Sequence, residues 1–102
     1  MKSVSIYVPM GLEKSEEWLL RTQRVMVRVF GGATTTLATG QWLNAYNVIV
    51  HDTIAVVKSY EMKEGVFKEY GMHLTAHCDD VKRHLEQDCV LMTVDEGSAI
   101  LV

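Results

Sequence analysis

The spacing of apolar residues changes abruptly at Gly31-Gly32. Before it, Trp18, Leu19, Thr22, Val25, Met26, Val29 and Phe30 recur at helical intervals. After it, Ala33 to Trp42 is rich in β-branched threonine and reads as a strand. The switch falls inside a run from Val29 to Val50 that holds no charged residue. A helix feeding straight into an uncharged strand demands a buried or ligand-facing surface at that point. The glycine pair is a helix stop, since glycine readily takes the left-handed conformation that ends a helix.

The rest of the chain falls into similar segments. Val4 to Val8 alternates with period two and is ended by Pro9. Ser15 is a candidate N-cap, followed by Glu16 and Glu17 where a helix N-terminus favours acids. Asn44 to Asn47 is turn chemistry. Val48 to Tyr60 is a long strand with Ile54, Val56, Lys58 and Tyr60 on one face and Ala55, Val57 and Ser59 on the other. Beyond the charged break Glu61–Gly65, Leu74, Cys78, Val81 and Leu85 form one helical stripe. Cys89 to Val94 is a buried strand, Asp95 to Ser98 a hairpin turn, and Ala99 to Val102 the returning strand.

The order β-α-β-β-α-β with a C-terminal hairpin strand predicts an α+β, ferredoxin-like sandwich spanning 1–102 as one domain. Both helices then cover one sheet face. Thr35, Leu37, Thr39, Ala55 and Val57 are assigned to the other, where they form too apolar a set for water. This predicts a homo-oligomer whose sheets pack together. A chain of 102 residues is small enough for association to matter.

Composition removes several function classes. With 48% hydrophobic and 23% charged residues the chain is an ordinary globular one. A net charge of −3 without a Lys/Arg cluster lacks the footprint of a nucleic-acid binder. No segment approaches the ~20 apolar residues of a membrane span, and the Met1-Lys2-Ser3-Val4 start does not read as a signal peptide. Cys78 and Cys89 read as reduced thiols of a cytoplasmic protein.

His73, His77, Cys78, Asp79, Asp80 and His84 crowd together, yet no metal site is expected. His77 and His84 stand about 10 Å apart along a helix and do not converge on one ion. No nucleophile elbow, P-loop or dinucleotide fingerprint is present. The more informative groups flank the uncharged run. If strands 33–42 and 48–60 pair through a turn near Ala45, Trp42 faces residues 48–50 and Asp52 lies near Gly40 or Ala38. Small residues there leave space where a ligand can approach the strand.

Three segments resemble phage-encoded enzymes that degrade S-adenosylmethionine (SAM), the SAM lyases formerly called SAM hydrolases. They are Ala38-Thr39-Gly40-Gln41-Trp42, similar to that family's Thr-Gly-x-Tyr segment, His51-Asp52-Thr53-Ile54-Ala55-Val56, and Glu86-Gln87-Asp88-Cys89-Val90-Leu91. The likeness runs in pieces from Phe30 to Val102. A Phe-Gly-Gly-x-Thr…Gly-x-Trp pattern is also similar to small phage and bacterial proteins. The SAM-lyase resemblance implies ferredoxin-like trimers that bind SAM between subunits and cleave it to methylthioadenosine and homoserine lactone, an anti-restriction activity in the host cytoplasm. Its tyrosine falls on Trp42 and its glutamate on or next to Asp52, so both positions differ here. Asp52 and Trp42 are then the candidate catalytic residues. Thr34, Thr35, Thr36, Gly40, Gln41 and His51 are candidate substrate-binding residues, with no cofactor and no metal. The alternatives are a non-catalytic oligomer that binds a small molecule or nucleotide, and a purely structural or host-protein interaction module.

Overall fold

The computed structural model describes residues 2–95 and 98–101. The expected turn residues Glu96 and Gly97, the last strand residue Val102, and Met1 lie outside the described residues. The elements are β1 (Ser3–Pro9), α1 (Ser15–Phe30), β2 (Thr34–Leu43), β3 (Ile49–Tyr60), α2 (Val66–His84), β4 (Leu91–Val94) and β5 (Ser98–Leu101). They form a five-stranded sheet of order β2-β3-β1-β4-β5, every pairing antiparallel. This is the ferredoxin-like arrangement with β5 added at an edge. Among the described residues, no helix is long and apolar enough to cross a membrane.

Local chemistry explains the element ends. Gly31 takes a left-handed φ of 90° and its N–H donates to the Val27 carbonyl, so the glycine pair does stop α1. Asn44 builds the β2–β3 turn: its Oδ1 accepts the N–H groups of Tyr46 and Val48, while Asn47 is left-handed. Glu61 reaches forward to accept the Phe67 N–H, satisfying one orphan donor at the start of α2. Ser15 departs from expectation. It is the first residue of α1, and its hydroxyl accepts the Leu12 N–H, closing the preceding loop instead of capping the helix.

The core lies between the sheet and the two helices. Val4, Ile6 and Val8 of central β1 meet Ala55, Val57 and Met92, with Met26 from α1 and the stripe Leu74, Cys78 and Val81 from α2, all fully buried. Complete burial of such side chains contributes about 1.5–3 kcal/mol each relative to exposure. The expected outward set is therefore corrected. Thr35 pairs with Val57, Leu37 with Ala55 and Thr39 with Thr53, so the residues do share a face. It is the face on which the helices pack, because β1 presents its apolar residues there in register with Val57 and Ala55, although the helices leave Thr35, Leu37 and Thr39 exposed. The open face instead carries Tyr7, Ile54, Val56, Lys58 and Tyr60 together with Thr34, Thr36, Ala38, Gly40 and Trp42.

The two cysteines differ. Burial pushes the Cys78 thiol up to about 12, leaving it an unreactive core residue. Cys89 is exposed in the loop before β4, which starts at Leu91, so the expected buried strand begins two residues later.

A polar contact joins the helices within this core. The Thr22 hydroxyl donates to the Trp18 carbonyl at 2.7 Å, and having one hydrogen it accepts the His77 Nε2–H at 2.8 Å. Burial holds the His77 imidazole below the ordinary histidine range, Asp80 opposing and His73 and Arg21 reinforcing the shift. A base whose folded pKa is depressed contributes stability above its unfolded value that is lost as pH falls from that value toward the folded one. The thermal midpoint is therefore expected to drop as pH falls below 6.5, the ordinary histidine value. His77→Gln, which keeps an amide for Thr22 but cannot take up a proton, should flatten that decline in melts recorded between neutral and mildly acidic pH.

Candidate functional site

The β2–β3 hairpin sets the central geometry. In its antiparallel register Gly40 stands opposite Asp52 and Trp42 opposite Val50. Trp42 and Asp52 are thus diagonal neighbours on the open face, close enough for long side chains to meet. The indole Nε1–H of Trp42 donates to Asp52 Oδ2 at 2.5 Å. A charged acceptor makes this a strong bond, and it fixes the carboxylate in one orientation.

The pair borders a cleft of about 480 Å³. Tyr7 and Pro9 of β1, Trp42 of β2, and Asp52 and Ile54 of β3 line one side, and the segment Glu86 to Leu91 between α2 and β4 lines the other. That volume lies within the ~300–1,000 Å³ range of small-molecule sites. The segment gets its path from the end of α2. Leu85 N–H donates to the Val81 carbonyl, Gln87 N–H to that of Lys82, and Glu86 is left-handed at φ 54°. The Gln87 side chain folds back to donate to the Leu85 carbonyl, while Glu86, Asp88 and Cys89 stay exposed at the rim of the cleft.

The charge of the cleft is one-sided. Asp52, Glu86 and Asp88 line it, and no lysine, arginine or histidine does. Apart from Gln87 and Cys89, its walls are otherwise aromatic and aliphatic. Such a surface favours a positively charged ligand with an apolar or aromatic body, which an indole face can also attract through its quadrupole.

Other expected site residues are placed elsewhere. Thr34 borders a separate cleft of about 410 Å³ with Gly31, Gly32 and Tyr60. Thr35 lies on the helix side of the sheet and accepts a hydrogen bond from Gln23 Nε2. Thr36 shares the open face but pairs with Val56, toward the far end of β2. Gln41 and His51 pair with each other on the opposite face from Trp42 and Asp52, as the alternation of a strand requires. Gly40 is next to the cleft without lining it. Tyr7, Glu86 and Asp88 were not among the expected residues. The only signal for the last two was the resemblance of the Glu86–Leu91 segment itself.

The clustered histidines are engaged separately. His77 binds Thr22, and His84 stacks on Trp18 with ring centroids 4.5 Å apart. Among the described residues, no three His, Cys, Asp or Glu side chains gather as metal ligands. A further cleft of about 530 Å³ on the outer side of the helices has mixed charge, Arg21, Arg24 and Arg28 facing Glu17 and Asp80.

No family model and no curated protein matches the sequence. Solved structures do match the fold. A phage SAM lyase in its apo state is similar with a TM-score of 0.71 at 13% identity, over 99% of this chain and 87% of that chain. A phage SAM lyase in complex with S-methyl-5'-thioadenosine is similar with a TM-score of 0.67 at 10% identity, over 99% of this chain and 88% of that one. At such identities the likeness shows a shared fold.

Proposed function

We propose that the Trp42–Asp52 cleft binds S-adenosylmethionine and that the chain is a SAM lyase. The observation that carries this reading is the convergence of Trp42, Asp52 and the Glu86–Leu91 segment, from three separate parts of the sequence, on one acidic cleft. Its support is the fold shared with phage SAM lyases.

The chemistry asks little of the protein. A carboxylate oxygen of SAM attacks its own γ-carbon as the bond from that carbon to sulfur breaks. Sulfur takes the electron pair, giving neutral methylthioadenosine and homoserine lactone. No proton is transferred, and two opposite charges disappear together. A site with apolar walls favours such a step, because less charge has to be solvated in the transition state than in the ground state. What remains for the protein is to fold the flexible methionine chain into attack geometry.

This sets the role of Asp52. A carboxylate held against the sulfonium would stabilise the ground state more than the transition state, and so oppose the reaction. Against the substrate's amino group, whose charge persists, it anchors the chain at no such penalty. Asp52 is therefore assigned to the ammonium, and Trp42 to orienting Asp52 and presenting its ring to the cationic end. Glu86 and Asp88 attract the cationic substrate and hold the neutral thioether product less well. A homotrimer, with the open sheet face turned toward a neighbouring subunit, and an anti-restriction role in the cytoplasm of an infected host belong to the same reading.

One observation favours the non-catalytic alternative. An indole N–H is a donor only, and here it already occupies an oxygen of Asp52. Incubation with SAM separates the two readings. Release of methylthioadenosine and homoserine lactone in equal amounts, followed by chromatography, is the result expected of a lyase. SAM recovered intact, with saturable binding in calorimetry, would leave the binder; neither turnover nor binding would sink both. Added salt should weaken SAM binding more than that of uncharged methylthioadenosine, since screening acts only on the charged ligand.

A further inference from the structure

We infer that Gly40 is a positioning residue, which gives Ile54 room to lie across β2 and so keeps the Trp42–Asp52 end of the cleft open. The inference rests on the ligand class proposed above and extends it to a residue that touches no ligand.

Gly40 sits in the interior of a strand, where glycine weakens the element and lends no side chain to packing. Gly11, Gly31 and Gly65 take left-handed φ values near 90°, which explains glycine at those positions, whereas Gly40 does not. Space is what it supplies. A Cβ added at residue 40 would stand 2.8 Å from Ile54 Cδ1, well inside van der Waals contact. Among the described residues, leaving aside residues 39–41 themselves, only the Ile54 side chain comes within 4 Å of that point. Ile54 belongs to the open face and lines the cleft beside Asp52, two residues along the same strand. The missing methyl group is thus filled by the end of an isoleucine that would otherwise stand elsewhere. With an alanine at residue 40 the β2 side is closed to Cδ1, and the unfilled volume next to Ile54 is the cleft. The displaced atom is the tip of a flexible side chain, so the strand pairing survives the change.

Gly40→Ala is expected to fold with an unchanged far-ultraviolet spectrum and to bind S-methyl-5'-thioadenosine roughly tenfold more weakly, the scale on which an extra methyl in a filled site is felt. Ile54→Val removes Cδ1. The double variant Gly40→Ala/Ile54→Val should recover affinity to within about threefold of the parent, because the two volumes then compensate. Wild-type affinity in Gly40→Ala overturns the inference, and so does a double variant as weak as Gly40→Ala. A second readout is independent of any ligand. The indole N–H resonance of Trp42, assigned by its loss in Trp42→Phe, should shift in Gly40→Ala and return in the double variant. If the parent chain binds no adenosyl compound, the proposed ligand fails, while this resonance still decides whether Gly40 positions Ile54. An indole signal unmoved by Gly40→Ala refutes the positioning role.

Discussion

Asp52→Asn is expected to weaken SAM binding by roughly 10- to 100-fold, the ~1.5–3 kcal/mol typical of a hydrogen bond to a charged group. The substitution is a clean test because its geometry is conservative. Asparagine keeps a carbonyl oxygen where Asp52 Oδ2 accepts the Trp42 indole N–H, so the hairpin contact need not change. What disappears is the negative charge. If that charge faces an ammonium that persists through the reaction, ground state and transition state lose the same interaction. KM then rises with kcat nearly unchanged. A kcat that collapsed at saturating SAM would show instead that Asp52 acts on the reacting atoms. A kcat that rose would place it against the sulfonium, where it holds back the ground state. Calorimetry with Asp52→Asn applies to the non-catalytic reading as well, since both need the anchor.

The surroundings of Asp52 separate local from long-range information. The turn residues Asn44 to Asn47 and the alternation on either side set the hairpin register; Trp42, expected to face residues 48–50, pairs with Val50, and Asp52, expected near Gly40 or Ala38, pairs with Gly40. The stripe Leu74, Cys78, Val81 and Leu85 was legible for the same reason: helical period depends only on near neighbours. The choice between sheet faces was not. Ala55-Val57-Ser59 and Ile54-Val56-Lys58 are both acceptable inner sets by composition. What decides is β1, whose Val4, Ile6 and Val8 share the face of Ala55 and Val57 through long-range pairing. Similarly, Glu86 and Asp88 join Asp52 only because β1 and β4 pair and bring the end of α2 beside the turn half of the β2–β3 hairpin. Ser15 misled because a serine followed by two glutamates has the composition of a cap, whereas its hydroxyl is taken by Leu12. Cys89 misled because a strand start is uncertain by a residue or two, which is enough to carry a thiol from core to solvent.

The second large effect concerns Trp42 and Asp52 as a unit. The resemblance sets a tyrosine and a glutamate at or beside these positions, and the structure joins the present pair by a hydrogen bond. Residues in direct contact couple, commonly by about 0.5–3 kcal/mol, so single exchanges should be worse than the double one. Trp42→Tyr carries its hydroxyl farther from the backbone than the indole nitrogen lies, crowding the short Asp52 side chain. Asp52→Glu extends the carboxylate by one methylene into the ring of Trp42. Each single variant is expected to lose roughly tenfold or more in SAM affinity, given the cost of misplacing a charged hydrogen bond. In Trp42→Tyr/Asp52→Glu the longer donor meets the longer acceptor, and affinity should return close to that of the parent. The phenol also retains a lone pair for a ligand donor, which an indole lacks. If turnover in the double variant exceeds that of the parent, the limit on this site lies in the donor-only indole; if the double variant is merely the sum of two losses, Trp42 and Asp52 act independently and the hydrogen bond between them orients nothing.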